Sequence, residues 1–294
     1  MEFRTLRAFV EVVRQGGFSA AAKTLFSTQS TVSKAVRQLE DEIGAPLLDR
    51  IGHRTTLTTI GEAVYARAVR LLAERTDLLA ELDELRGLKR GTLRLGLPPV
   101  GSAVLFAPLF ADFRERYPGV EIQLVEHGAS HLEDLLLAGD IELAASLLPA
   151  ADAFHIQSIR CEPLVALIRA GHPLAGRDTI DLTALRDQPL ILFEAGFAIN
   201  RIIIEGCARH GFAPRIVARS AQVDFIVELV AAGMGIAFLP RMIAAQRPHE
   251  RVRAVVLDEP ATDWHLAMLW RRGAYLSDAA RAWLDLVRGS VRAP

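Results

Sequence analysis

The chain has 294 residues, 51% of them hydrophobic, and a formal net charge of −1 from 34 Lys and Arg against 35 Asp and Glu. That suits two or three domains with real cores and argues against a protein coated in nucleic acid along its whole length. No run of 18 apolar residues is present, which excludes a membrane-spanning helix, and "MEFRTLRAFVEVVRQ" lacks the apolar stretch of a secretion signal, so a cytoplasmic location is expected. Residues 1–58 carry eight Lys/Arg and six Asp/Glu, leaving 26 and 29 for the remainder, a mildly cationic head on a slightly anionic body. Residues 3–15 predict an amphipathic helix with Leu6, Phe9, Val10 and Val13 on one side. "QGG" ends it, and Ser19 is placed to cap a short helix, "AAAKTL".

The stretch "STQSTVSKAVRQLEDEIG", residues 27–44, sets Val32, Val36, Leu39 and Ile43 on one helical stripe. The opposite face carries Ser30, Ser33, Lys34, Arg37 and Asp41, with Thr28 as N-cap and Gly44 as stop. Three short helices so spaced predict a helix-turn-helix. "APLLDRIGHRTTLTTIG" then reads as a β-hairpin, a wing bearing Arg50, His53 and Arg54. Residues 59–86 predict one long helix in which Val64, Ala68, Leu71, Arg75, Leu78, Leu82 and Leu85 form a heptad seam interrupted at Arg75. Such a seam suggests a homodimer; the alternative is packing on the chain's own body.

"LKRGTLRLGLPP" is a hinge and then a strand. From there strands are expected at 91–97, 120–126, 141–146, 190–193, 215–219, 235–238 and 265–271. Helices are expected at 102–116, 130–138, 198–211, 222–233 and 277–288. This is an α/β pattern with largely parallel sheets. The excursion between about 161 and 263 suits a second lobe, with the last strand and helix returning to the first. No internal repeat is present.

At this point the sequence resembles the LysR-type transcriptional regulators over essentially its full length. The carrying residues are "LRAFVEVVRQGGFSAAAKTLFSTQSTVSKAVRQLEDEIGAPLLDR" and "TLTTIGE", with looser likeness in "GTLRLGL", "FRERYPGVEIQL", "HPLAG" and "VAAGMGIAFLP". The resemblance implies a winged helix-turn-helix over 1–58, a dimerising linker helix and hinge over 59–89, and an effector-binding domain over 90–294. That domain would be two α/β lobes of the type II periplasmic-binding-protein kind, lobe I about 90–160 and 264–294, lobe II about 161–263. It further implies a homodimer through residues 60–86, a homotetramer, promoter DNA and RNA polymerase as partners, and no cofactor. Two departures stand out: Ser30 replaces a common proline, which the first helical turn favours without requiring, and "PLLDR" puts Leu48 where the family often has phenylalanine.

On this reading the polar face of 27–44 enters the major groove. Gln29, Ser30 and Ser33 reach base edges, Thr31 lies at the same end, and Lys34 and Arg37 meet bases or phosphates. Arg50 and Arg54 on the wing would meet phosphate or the minor groove. A merely solvated helix face is the bland alternative.

In α/β sheets ligands sit beyond the carboxyl ends of strands. "PPVGS", "HGAS", "FEAGFAIN" and "SAQVDF" are such places, and by resemblance they line the effector cleft. The candidate effector residues are Val100, Gly101, Ser102, Ser130, Phe197, Ala198 and Gln222. Helix N-termini converging on a cleft favour a carboxylate, and the expected effector is a short organic acid. For Ser102 and Ser130 simple capping is the competing role.

Three other functions compete with this reading. A redox-sensing regulator would use Cys161 and Cys207, which read better as buried inert thiols. An enzyme lacks a Gly-rich phosphate loop and a GxSxG elbow. His127 and His131, with Glu126, Glu133 and Asp134 nearby, read as surface or cleft residues, so no metal site is expected. A solute-binding protein would not need residues 1–58.

Overall fold

The computed structural model describes residues 1–51, 54–85 and 91–291. It divides into two compact units, residues 1–87 with 137–140, and residues 88–136 with 141–294.

The N-terminal unit opens with α1 (Phe3–Arg14), α2 (Phe18–Thr24) and α3 (Gln29–Ile43). Leu6, Phe9, Val10, Val12, Val32, Val36 and Leu39 are buried together in its core, with Val13 packed at the margin. α2 differs from expectation at its start. Gly17 is the N-cap with no side-chain cap bond, and Ser19 lies inside the helix, its hydroxyl donating to Gln29 Oε1 at 3.0 Å. α3 begins and ends as its sequence dictates: Thr28 Oγ1 accepts from the Thr31 N–H at 3.2 Å, and Gly44 is the C-cap in left-handed backbone.

A hairpin follows, β1 (Leu48–Ile51) paired antiparallel with β2 (Arg54–Leu57). Glu40 on α3 fixes its root, Oε1 accepting from the Leu47 N–H at 2.8 Å. Arg50 and Arg54 fall on the two strands, while His53 and the expected hinge residues 86–90 lie outside the described residues. Thr58 then caps α4 (Thr59–Leu85), accepting from the Gly61 N–H at 2.9 Å. The heptad seam divides. Val64 and Ala68 pack on the core, whereas Leu71, Leu78 and Leu82 are exposed. Arg75, the polar interruption, sits with its guanidinium 5.6 Å from the centre of the Phe3 ring.

The second unit contains two sheets. Its elements are β3 (Thr92–Leu97), α5 (Ser102–Leu105), α6 (Ala107–Arg116), β4 (Glu121–Glu126), α7 (Ala129–Leu137), β5 (Leu143–Leu147), β6 (Phe154–Glu162), β7 (Leu164–Arg169), β8 (Thr179–Ile180), β9 (Pro189–Phe193), α8 (Ala198–Arg209), β10 (Arg215–Ser220), α9 (Val223–Ala231), β11 (Ala237–Pro240), α10 (Arg241–Ala245), β12 (Val252–Leu257), β13 (Trp264–Arg271) and α11 (Asp278–Val291). The first sheet has the order β4-β3-β5-β13-β6 and the second β11-β7-β12-β8, with β10 and β9 joined to it by a bridge from Leu190 to Ile236. The chain leaves the first sheet after β6 and returns to it with β13, so each sheet is the floor of one lobe.

The sheets are more mixed than expected. β3 runs parallel to β4 and β5, but β13 is antiparallel to both of its neighbours, and β7 is antiparallel to β11 and β12. The strands β6, β7, β8 and β12 are absent from the expected set apart from the neighbourhood of Cys161; β6 forms an edge of the first sheet, and β7, β12 and β8 make up most of the second. The expected helix 102–116 is broken at Phe106 into a single turn and a longer helix with Pro108 in its first turn. Trp283 on α11 anchors that longer helix, its ring 5.0 Å from Phe110 and 5.4 Å from Phe113. Among the described residues no helix is long and apolar enough to cross a membrane.

Candidate nucleic-acid interface and inter-lobe cleft

The first site is the outer face of α3. Burial of Val32, Val36 and Leu39 fixes the rotation of the helix and leaves Gln29, Ser30, Thr31, Lys34 and Arg37 exposed, with Ser33 half-buried. The hydroxyls at the N-terminus are organised by the cap: Thr28 Oγ1 lies 2.9 Å from Ser30 Oγ and 2.8 Å from Thr31 Oγ1. Ser19 holds the Gln29 side-chain oxygen, which leaves the amide nitrogen, a two-proton donor, for an outside acceptor. Short polar groups at a helix tip with two cations one and two turns along suit base edges flanked by phosphates. Beside this face lies an open groove of about 760 Å³ to which α1 contributes Arg4 and Arg7, and the turn before α3 contributes Phe26.

The second site lies between the lobes. A small cavity of about 30 Å³ is lined from the first lobe by Val100, Ala129 and Ser146 and from the second by Phe197 and Ala198, with Trp264 at the return crossing. That volume holds roughly two waters. Above it the lobes touch: a Cβ on Gly128 would lie 2.6 Å from the Gly196 carbonyl oxygen. Arg201 of α8 also donates to the Pro149 carbonyl at 3.4 Å.

Each lining loop has a local cause. Asn200, buried, ties α8 to the end of β9, accepting from the Phe193 N–H at 3.0 Å and donating to the Phe193 and Glu194 carbonyls. Phe197 stacks on Phe193 with ring centres 5.0 Å apart. Gly101 has φ +96°, and a Cβ there would meet the Trp264 ring at 2.9 Å, so the loop needs glycine on both counts.

Of the seven candidate effector residues, Val100, Phe197 and Ala198 line the cavity, while Gly101, Ser102, Ser130 and Gln222 do not. The Ser102 hydroxyl donates to the Pro98 carbonyl, and α5 behind it is a single turn, which removes most of the dipole expected there. Ser130 and Gln222 are exposed. Ser146 and Trp264 are the residues that sequence reasoning missed. They enter from β5 and β13, and only the fold brings those strands to the cleft. Asn200 was visible inside "FEAGFAIN", where a buried amide two residues into a helix is a usable signal.

The titratable groups near the cleft are perturbed. Burial pushes the Glu133 carboxyl above its ordinary value, partly offset by the Ser146 hydroxyl at 3.3 Å and the charge of Arg201. Burial and the neighbouring His131 hold His127 below the ordinary histidine value; their ring centres are 4.0 Å apart. Of the two cysteines expected to be buried, Cys207 is buried in α8 but Cys161 is exposed on β6; burial and nearby carboxylates push both thiols up. Among the described residues no group of three or more His, Cys, Asp or Glu could hold a metal.

Residues 3–62 match the family described as bacterial regulatory helix-turn-helix protein, lysR family, and residues 86–292 match the LysR substrate binding domain. The uncharacterized HTH-type transcriptional regulator YwbI of Bacillus subtilis is 37% identical over 286 residues, 97% of this chain and 95% of that protein. A probable hydrogen peroxide-inducible genes activator of Mycobacterium leprae is 32% identical, covering 85% of this chain and 80% of its own. A full-length OxyR variant from Pseudomonas aeruginosa superposes with a TM-score of 0.65 over 99% of this chain and 95% of its own, at 23% identity, a likeness of fold.

Proposed function

We infer that this chain, which belongs to the LysR family of DNA-binding transcriptional regulators, reads its target duplex with the exposed face of α3 and alters its action when a small molecule settles between its lobes. The observation that carries the DNA half is the division of α3 into a buried stripe and an exposed tip of Gln29, Ser30 and Thr31, with Lys34 and Arg37 behind it. Gln29, Ser30 and Ser33 address base edges, with Thr31 at the same end; Lys34 and Arg37 address bases or phosphates; Arg50 and Arg54 on the wing address phosphate or the minor groove. Arg37→Ala tests it. If Arg37 reads a base, specific binding weakens by about 1–3 kcal/mol. If it meets phosphate alone, specific and non-specific binding weaken together and the salt slope falls by about one unit. No change in either removes Arg37 from the interface.

The exposed Leu71, Leu78 and Leu82 of α4 support a homodimer, and pairs of dimers would form the tetramer. Cytoplasmic action at a promoter, with RNA polymerase as a further partner, follows from the same reading.

For the effector we infer a short organic acid. α8 opens on the cavity through Ala198 and Ile199, and its N-cap makes no side-chain bond; the Asn200 N–H is taken by the Phe197 carbonyl, which leaves the Ala198 and Ile199 N–H groups as the donors a carboxylate could use. Ser146 lines the cavity from the opposite lobe, and its hydroxyl, which donates to Glu133 at 3.3 Å, would have to turn from Glu133 to meet the ligand. A ligand larger than two waters requires the lobes to part, and that differential fit is what lets binding shift the population of lobe arrangements. A thermal-shift screen of the full chain with short carboxylates tests this: a hit abolished by Ser146→Ala supports the site, and hits confined to cations or neutral metabolites overturn the acid.

Redox sensing through Cys161 and Cys207 is the second reading, favoured by the name of the M. leprae relative. The raised thiols, the burial of Cys207 and their places on different lobes weigh against it. A peroxide response lost in Cys207→Ser would restore it.

A further inference from the structure

Phe26 stands where its side chain serves nothing inside the fold. It is 99% exposed, although it is a large apolar residue between two packed helices. Its backbone is left-handed, φ +49°. The reason is local. Phe26 N–H donates to the Lys23 carbonyl and Ser27 N–H to the Ala22 carbonyl, the two bonds of a Schellman motif closing α2. Phe26 occupies the left-handed position of that motif, where glycine is unstrained and asparagine is tolerated. The fold gains neither relaxed backbone nor buried area from phenylalanine there.

The surroundings indicate what covers it. Phe26 precedes the cap Thr28 by two residues and shares its groove with Ser30 and Lys34 of α3 and Arg4 and Arg7 of α1. Arg4, Arg7 and Lys34, which line the same groove as the ring, are exposed, as is Lys23 on α2, so the groove is rimmed by cations. A polyanion fits that rim better than an apolar protein surface. A phenyl group cannot hydrogen-bond, and the thymine C5-methyl is the apolar feature that the major-groove edge presents.

We propose that Phe26 is a specificity residue for DNA, packing its ring on a thymine methyl next to the bases met by the tip of α3. This rests on the reading of α3 as the DNA-facing helix. The glycine that the turn would favour is displaced by a residue that the duplex uses.

The test begins with a duplex enriched from a random-sequence library by the unaltered full-length chain. Affinity and melting temperature are then measured for Phe26→Gly and Phe26→Asn, with Lys34→Ala and Arg37→Ala as companions. Thymines are replaced one at a time by deoxyuridine, which lacks the methyl. Both Phe26 variants are expected to bind at least about fivefold more weakly, the lower end of one base contact, with a melting temperature no lower than the parent's. One thymine-to-deoxyuridine change should weaken the parent severalfold and leave Phe26→Gly unaffected. Parent-like affinity in both Phe26 variants overturns the proposal. So does a loss of affinity with no deoxyuridine position coupled to it, which would move the ring to the sugar-phosphate rim or to a protein. If Lys34→Ala and Arg37→Ala weaken binding while the Phe26 variants do not, only this inference fails. If none of the four has an effect, the reading of α3 fails first.

Discussion

Gly128→Ala places one methyl where the two lobes meet. The backbone of Gly128 is not in the left-handed region, so alanine is conformationally acceptable and the effect is steric. The new Cβ would lie 2.6 Å from the Gly196 carbonyl oxygen and 2.9 Å from its carbon. Ordinary contact begins at 3.4 Å, so the loops must separate by about 0.8 Å. Overpacking of this kind costs about 1–3 kcal/mol. For a domain of some 200 residues that corresponds to a fall in melting temperature of about 2–4 °C per kcal/mol. The control is Gly196→Ala, which meets nothing within 4 Å but has φ +91°, so it strains the backbone without wedging the lobes. Calorimetry of the full chain gives the stability, and hydrogen exchange reports the cleft. Amides of Ala129 and Ala198, which line the cavity, should exchange faster in Gly128→Ala than in Gly196→Ala. A Gly128→Ala protein with parental melting and parental exchange would refute the argument that this contact holds the lobes together.

Three further outcomes are expected. Thr28→Ala removes the cap of α3 and the partner of the Ser30 and Thr31 hydroxyls; it should cost about 1 kcal/mol, and unchanged melting of the N-terminal unit would contradict the cap. Leu78→Glu with Leu82→Glu puts charge on the exposed stripe of α4, and sedimentation should show a weakened dimer; an intact dimer moves the interface elsewhere. His127 is held below the ordinary histidine value, so between that value and its lowered one the unfolded chain binds the proton that the folded chain resists. Stability is therefore present above the ordinary value and lost as pH falls through the lowered one. His127→Asn should flatten that slope in pH-dependent melting, and an unchanged slope would assign the effect to another group.

The legible parts of this protein were those whose cause is local. The stripe of Val32, Val36 and Leu39, the Thr28 cap and the Gly44 stop are each decided within one helix, and the fold reproduces them. Ser19 misled because a hydroxyl near a helix start also serves a partner ten residues away. The break at Phe106 was hidden in an apolar run whose aromatic residues are recruited by Trp283 from the far end of the chain. Strand β7, "LVALIR", is buried along five of its six residues and so lacks the alternation that marks a half-exposed strand. The cleft was half legible: Phe197 and Ala198 follow from the rule about strand ends, whereas Ser146 and Trp264 arrive through pairing of β13 with β5 and β6.

The position of β13 has a consequence for how the protein is made. It lies inside the first sheet, with β5 on one side and β6 on the other, yet it begins only at Trp264. A growing chain thus exposes β5 and β6 with a strand-wide gap between them until nearly everything else has left the ribosome. The helices α1 to α3 and their hairpin, whose contacts lie close in sequence, can settle long before. Truncation before Trp264 would spare the end of the chain that reads and leave the end that senses with an open seam, an unpaired edge apt to capture another strand.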